Sequence, residues 1–306
     1  MKIKKIMVVL GMLASIGMIL AACGGGSSDG DQAAEGNKQI TVSSKNFTEN
    51  VILAHMMADL IEAKTDIKVT RTVNLGGSNV VWNALKKGEV QLFPDYTGTI
   101  VANYYQEETG TSEESLSKTR ELLKEDGLAF LEPFGINNTY TLAVTKETAE
   151  QYNLKTFSDL AKVSDDMVLG VEFEFLDRDD GYPGIQKLYD MNFKDSKGMD
   201  HGIMYQAIEK GETDVTNAYA TDAQIIVHNL VILEDDKGFF PPYDGGPVIR
   251  QDTLDQYPEL EEVLNLLKGQ ITEPEMQELN AQVDVEGLKE DDVARDFLVK
   301  KGLIDG

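Results

Sequence analysis

WNALKKGEVQLFPDYTGT, residues 82–99, reads as a helix end, a tight turn at Lys87-Gly88, a short apolar strand Val90–Phe93, and a polar turn carrying Asp95, Tyr96 and Thr99. A helix feeding such a strand is half of a βαβ unit, and open α/β sheets take their ligands just past the carboxyl ends of their strands. The stretch recurs as YQAIEKGETDVTNAYATD, residues 205–222. Ala84 matches Ala207, Lys87-Gly88-Glu89 matches Lys210-Gly211-Glu212, and Tyr96 matches Tyr219, always 123 positions apart. Two copies of one element imply two similar lobes, each offering a tyrosine at the same edge. The fold expected is α/β, two lobes joined by a hinge, with a ligand cleft between them.

Outward from the repeat, the amino terminus is a separate matter. Lys2, Lys4 and Lys5 precede an apolar run from Ile6 to Ala22, which reads as an export signal over 1–22 and not as part of the fold. Leu20-Ala21-Ala22-Cys23 ends it, and Cys23 is the only cysteine in the chain. Small residues before a lone cysteine resemble the lipobox of bacterial lipoproteins, which implies lipidation of Cys23. Residues 23–38 then form a Gly/Ser/acidic tether with nothing to bury. The expected location is the extracytoplasmic face of the cell membrane, with the chain held there by its lipid.

Lobe 1 is expected over 39–138 plus 241–306 and lobe 2 over 139–240, with crossings at Asn137-Asn138-Thr139-Tyr140 and at Phe239-Phe240-Pro241-Pro242-Tyr243. Thr48 is expected to cap the first helix. The Gly76-Gly77-Ser78 loop opens another helix, whose free N–H groups suit an anion. Leu254–Leu267 reads as one helix. The formal charge is −25 in 306 residues. That excludes nucleic-acid binding, which needs a basic footprint, and it weakly favours cations.

Tyr96, Tyr140, Tyr219 and Tyr243 fall at strand ends and crossings, so all four are expected to face the cleft. Tyrosine faces around a space make a cage for a cation, each ring worth about 0.5–2 kcal/mol. A quaternary ammonium suits such a cage because it donates no hydrogen bonds and sheds water cheaply. Loss of Tyr219 is expected to weaken binding and to leave stability nearly intact. The plain alternative is that these rings only close the edge of a core.

The phrases SSKNFTEN, NLGGSNVVWNALKKGEVQLFPDYTGT, NNTYTLAV, FEFLDRDDGYPG, YQAIEKGETDV, FFPPY and ELNAQVDVEG strongly resemble the substrate-binding lipoproteins of osmoprotectant ABC transporters. The resemblance runs through 39–303 and implies a type II periplasmic-binding-protein fold. It implies ligands of the glycine betaine, carnitine and choline type, caged by Tyr96, Tyr140, Tyr219 and Tyr243. It also implies a ligand carboxylate read by Lys45, Thr99 and Arg178, residue types that suit one chemically. Asn138, beside the cage, is placed to steady a hydroxyl or a ring. Thr99 points to the betaine/carnitine type, whereas Asn217, Ala220 and Asp244-Gly245 depart from the common pattern.

The expected partners are the small ligand, a membrane permease and its ATPase; the chain itself is expected to be a monomer with no cofactor and no metal. Two alternatives stand beside this. One is a binding protein for another small solute, such as an amino acid. The other is a lipid-anchored hydrolase using Asp95 and Asp222, read as equivalent carboxylates facing each other across the cleft.

Overall fold

A computed structural model describes residues 38–306; the export signal, Cys23 and most of the tether lie outside them. Two five-stranded sheets carry the architecture. The first holds β1 (Gln39–Lys45), β2 (Lys68–Gly76), β3 (Leu92–Tyr96), β4 (Leu128–Phe130) and, from far along the chain, β10 (Gly245–Arg250), in the order β2-β1-β3-β10-β4. The second holds β5 (Tyr140–Thr145), β6 (Val168–Glu172), β7 (Asp195–Met199), β8 (Val215–Tyr219) and β9 (Leu230–Leu233), in the order β7-β6-β8-β5-β9. In each sheet three strands run parallel and the fourth enters antiparallel: β10 against β3, β5 against β8. One topology is thus built twice.

The repeated sequence has a backbone reason. Gly88 ends the helix Ser78–Lys87 in the left-handed region at φ 76°, and Gly211 follows the helix His201–Glu209 at φ 69°. Past each glycine the chain folds back identically: Glu89 N–H reaches Ala84 O and Glu212 N–H reaches Ala207 O, both at 2.9 Å. This is the Schellman closure, which wants a glycine where the helix stops. It then launches β3 and β8, which are buried along their whole length.

Strand limits differ from the expected ones. β3 runs past Phe93 through Pro94 and Asp95 to Tyr96. Pro94 faces Pro247 of β10, and the charge of Asp95 is matched inside the fold, so neither residue breaks the strand. Thr48 is not the cap: the helix Thr48–Lys64 has Phe47 at its N-cap, and Thr48 Oγ1 donates to Asp284 at 2.5 Å. Leu254–Leu267 is broken at Pro258 into Gln251–Gln256 and Glu259–Leu264, because proline ends a helix at the residue before it.

The helices Thr48–Lys64, Glu259–Leu264, Glu273–Asp284 and Glu290–Lys300 share one apolar core with β1 and β3, so the carboxyl-terminal helices pack on the first sheet. A second core lies under the other sheet and reaches Tyr96, Tyr140, Tyr219 and Tyr243. The two crossings pair with each other: Asn137 bridges Asp244, and Asn138 N–H donates to Tyr243 O at 3.0 Å. The two crossings are thus tied side by side through their backbones. Among the described residues no helix is long and apolar enough to cross a membrane.

Candidate functional site

Where the two sheets' strand ends approach, ten side chains line a narrow hollow: Lys45, Phe47, Tyr96, Thr99, Asn138, Tyr140, Glu174, Arg178, Tyr219 and Tyr243. The eight residues singled out in the sequence all stand on this wall. Phe47 and Glu174 are additions. Both lie inside quoted phrases, SSKNFTEN and FEFLDRDD, but nothing in their spacing marks them.

The rings are set by the strands. Tyr96 ends β3 and Tyr219 ends β8; Tyr140 opens β5 directly opposite Tyr219 in the antiparallel register. The Tyr140 centroid lies 5.0 Å from that of Tyr219 and 5.4 Å from that of Tyr243, the latter pair nearly perpendicular at 88°. Phe47 closes the other side, 5.2 Å from Tyr219 and 6.3 Å from Tyr96. Burial holds all four phenols well above their ordinary range, so they remain neutral donors.

Three of the four hydroxyls donate to a carboxylate behind the wall: Tyr96 to Glu49 at 2.5 Å, Tyr219 to Glu172 at 2.5 Å, and Tyr243 to Asp180 at 2.7 Å. Each ring is thereby fixed at its far end. Glu49 and Glu172 stand 123 positions apart, the offset of Tyr96 and Tyr219, although Glu49 comes from a helix and Glu172 from the end of β6. Burial pushes the Glu49 carboxyl up, against the pull of Thr221, Tyr96 and Asn138. Burial also works on Glu172, but His201, Tyr219 and Asn217 together outweigh it and its carboxyl ends below the usual range. His201 stacks on Tyr219, centroids 5.0 Å apart, with Nδ1 3.2 Å from Glu172 and Nε2 3.1 Å from Asp222. Burial lowers its pKa, yet those two carboxylates outweigh burial and hold the imidazolium well above its usual range.

The polar residues are less free than the sequence implies. Lys45 Nζ lies 2.6 Å from Asp95 Oδ1, both buried, and 5.2 Å from the Tyr96 centroid. Arg178 is bidentate to Asp180, at 2.7 and 2.5 Å, and sits 5.6 Å over Tyr140. Its remaining N–H groups reach Ser78 Oγ and Thr99 Oγ1, each at 3.4 Å. Thr99 begins a π-helical turn, Thr99–Tyr104, a form often found at functional sites. Asn138 donates to Glu49 at 2.8 Å and accepts from Thr221 at 2.8 Å. It ties Glu49 to Thr221 at the edge of the cage, with its oxygen and one of its two N–H donors engaged. Asn217 brackets Glu172, accepting from its N–H and donating to its side chain, both at 3.1 Å.

Three expectations need correction. Asp95 and Asp222 are not equivalent: Asp95 lies within β3, whereas Asp222 follows the end of β8 by three residues. Neither lines the hollow. Asp95 is taken by Lys45 and by Tyr104 at 2.8 Å, and Asp222 by Tyr205, His201 and the Tyr219 N–H at 2.8 Å. A pair of facing acid/base carboxylates is therefore not what these two residues form. The anion-ready helix start at Ser78 is already engaged, by Glu174 of the other lobe. Tyr219 is 5% exposed and bonded at its hydroxyl, so its ring belongs to the core as well as to the wall. Among the described residues no cluster of His, Cys, Asp and Glu could hold a metal ion.

The arrangement gathers aromatic faces around one hollow, with basic and hydroxyl groups at one corner. Comparison with known proteins gives the family. Residues 38–300 match the family described as the substrate binding domain of ABC-type glycine betaine transport systems. The chain is 34% identical to the carnitine transport binding protein OpuCC of Listeria monocytogenes (serotype 1/2a, strain 10403S), over 100% of this chain and 99% of that one. It is 36% identical over 267 residues to the ergothioneine transport permease/ergothioneine binding protein EgtU of Helicobacter pylori (strain G27), covering 87% of this chain and 48% of the relative. It thus spans about half the length of that protein. A crystal structure described as a glycine betaine/carnitine/choline ABC transporter superposes with a TM-score of 0.69 at 35% identity, over 87% of this chain and 100% of the other.

Proposed function

The chain belongs to the family of substrate-binding domains of ABC-type glycine betaine transport systems, and from that premise we propose that it captures quaternary ammonium compounds in a cage of Tyr96, Tyr140, Tyr219 and Tyr243. The observation that carries this is the convergence of four buried tyrosines on one hollow, three with their hydroxyls tied to carboxylates. Tied hydroxyls leave ring faces, not donors, for the ligand. A trimethylammonium group needs faces and offers no N–H.

The ligands named for the relatives, carnitine and glycine betaine among them, favour small compounds of the betaine, carnitine and choline kind. Four faces contribute a few kcal/mol at about 0.5–2 each. Micromolar affinity needs about 8 kcal/mol, so methyl burial and polar contacts at Arg178, Thr99 and Lys45 supply the rest. Residues 39–138 with 241–306, and 139–240, act as the two lobes. A ligand touching both favours the closed form by its differential affinity, and the closed form delivers the ligand to the permease of an ATP-driven importer. Cys23, preceded by Leu20-Ala21-Ala22, carries the lipid that keeps the protein, as a monomer, at the extracytoplasmic face of the membrane.

Isothermal titration against glycine betaine, carnitine, choline and glycine tests the reading. The trimethylated compounds should bind and glycine should not. Equal binding of glycine would make this an amino-acid receptor instead.

A further inference from the structure

Glu174 belongs to the second lobe, yet its carboxylate ends on the first. Oε2 accepts the Ser78 N–H at 2.8 Å and Oε1 accepts Ser78 Oγ at 3.0 Å, at the positive end of the helix Ser78–Lys87. Gly77 leaves room for the approach: a Cβ there would stand 3.0 Å from Oε2. Arg178 Nη1 lies 3.4 Å from Glu174 Oε1. The corner formed by Ser78, Arg178 and Thr99 gathers the donors that a ligand carboxylate would seek. It already holds a carboxylate.

The formal charges sharpen the point. On the wall of the hollow, Lys45 is matched by Asp95 and Arg178 by Asp180. Glu174 has only a share of Arg178, at 3.4 Å against the 2.5 Å of Asp180, so one guanidinium faces two carboxylates. A simple cation in the cage supplies a second positive charge. A zwitterion brings a cation and also a second carboxylate, which has to settle beside Glu174 or push it aside. At 22% side-chain exposure Glu174 has room to leave, but leaving forfeits both bonds to Ser78.

We propose that Glu174 is a specificity-determining residue: by occupying the Ser78–Arg178–Thr99 corner it handicaps betaines that carry a carboxylate relative to quaternary amines that do not. The inference rests on the tyrosine cage. It differs from the contribution of Thr99, which reads the same corner from the first lobe.

The test is calorimetric titration of the unaltered protein and of Glu174→Gln with glycine betaine and with choline. Glutamine keeps the shape and an acceptor oxygen for Ser78 while removing the charge. The Kd ratio of glycine betaine to choline should fall about tenfold in the variant, chiefly through tighter glycine betaine binding. A ratio that stays put or rises overturns the role of Glu174 alone. Failure of the unaltered protein to bind either compound would bring down the cage, and this inference with it.

Discussion

Tyr219 separates the contribution of a ring face from that of a hydroxyl. Tyr219→Phe keeps the ring among Tyr140, Phe47 and His201, whose centroids lie 5.0 to 5.2 Å away. It removes the bond to Glu172, a charge-assisted contact of about 1.5–3 kcal/mol. Glu172 keeps Asn217 and His201, so the expected loss of stability is near the lower figure. Affinity for a quaternary ammonium should fall by less than about fivefold, or ~1 kcal/mol, since the face remains. Tyr219→Ala removes the face. About 2 kcal/mol of cation–π attraction goes with it, together with some methyl burial, and affinity should drop roughly thirty- to a hundredfold. Its stability should also drop, by about 3–5 kcal/mol, as for a large ring truncated in a core. Titration calorimetry reads the affinities, and urea unfolding without ligand reads the stabilities. If the phenylalanine variant loses as much affinity as the alanine variant, the hydroxyl and not the ring holds the ligand. If the alanine variant binds normally, Tyr219 is no part of a cage.

Other outcomes follow from neighbouring contacts. Lys45→Met leaves Asp95 buried without its 2.6 Å partner and should cost about 3–5 kcal/mol in urea unfolding; Lys45→Met with Asp95→Asn should regain a good part of that, and no regain would mean the pair is not coupled. Gly98→Ala places a Cβ 2.7 Å from the Tyr243 ring, so ligand affinity should fall at least tenfold; unchanged binding would show that Tyr243 need not sit where it does. The raised pKa of His201 stabilises the fold fully below its unfolded value of about 6.5, and that stabilisation is lost as pH rises toward its folded value. Relative to His201→Gln, the unaltered protein should therefore lose up to about 1.4 kcal/mol per pH unit above neutrality; parallel stability curves for the two would mean that the imidazole carries no extra proton.

How much of this was legible in the sequence depended on where the physics is local. The Ala84…Gly88-Glu89 and Ala207…Gly211-Glu212 closures are backbone events within six residues, so they left a readable repeat and located Tyr96 and Tyr219. The crossings announced themselves through Phe239-Phe240-Pro241-Pro242, too stiff for a helix or a central strand. By contrast β7, Asp195–Met199, is an exposed edge strand with no apolar alternation, and sequence patterning had nothing to detect. The carboxylates behind the cage are harder to single out, although Glu49 and Glu172 keep the 123-residue offset of Tyr96 and Tyr219. Glu49 sits 47 residues from Tyr96, Glu172 47 residues from Tyr219 and Asp180 63 residues from Tyr243, and only the packed fold brings them together. The same holds for Lys45 and Arg178. Their type suggested a carboxylate partner, but the nearest partners turn out to be Asp95 and Asp180 of this chain.

A crystal structure of the protein grown with choline tests the central claim most directly. The trimethylammonium group should lie in contact with the faces of Tyr96, Tyr140, Tyr219 and Tyr243, with residues of both lobes touching the ligand. Choline bound elsewhere, or seated on one lobe with the four rings turned from it, would contradict the account.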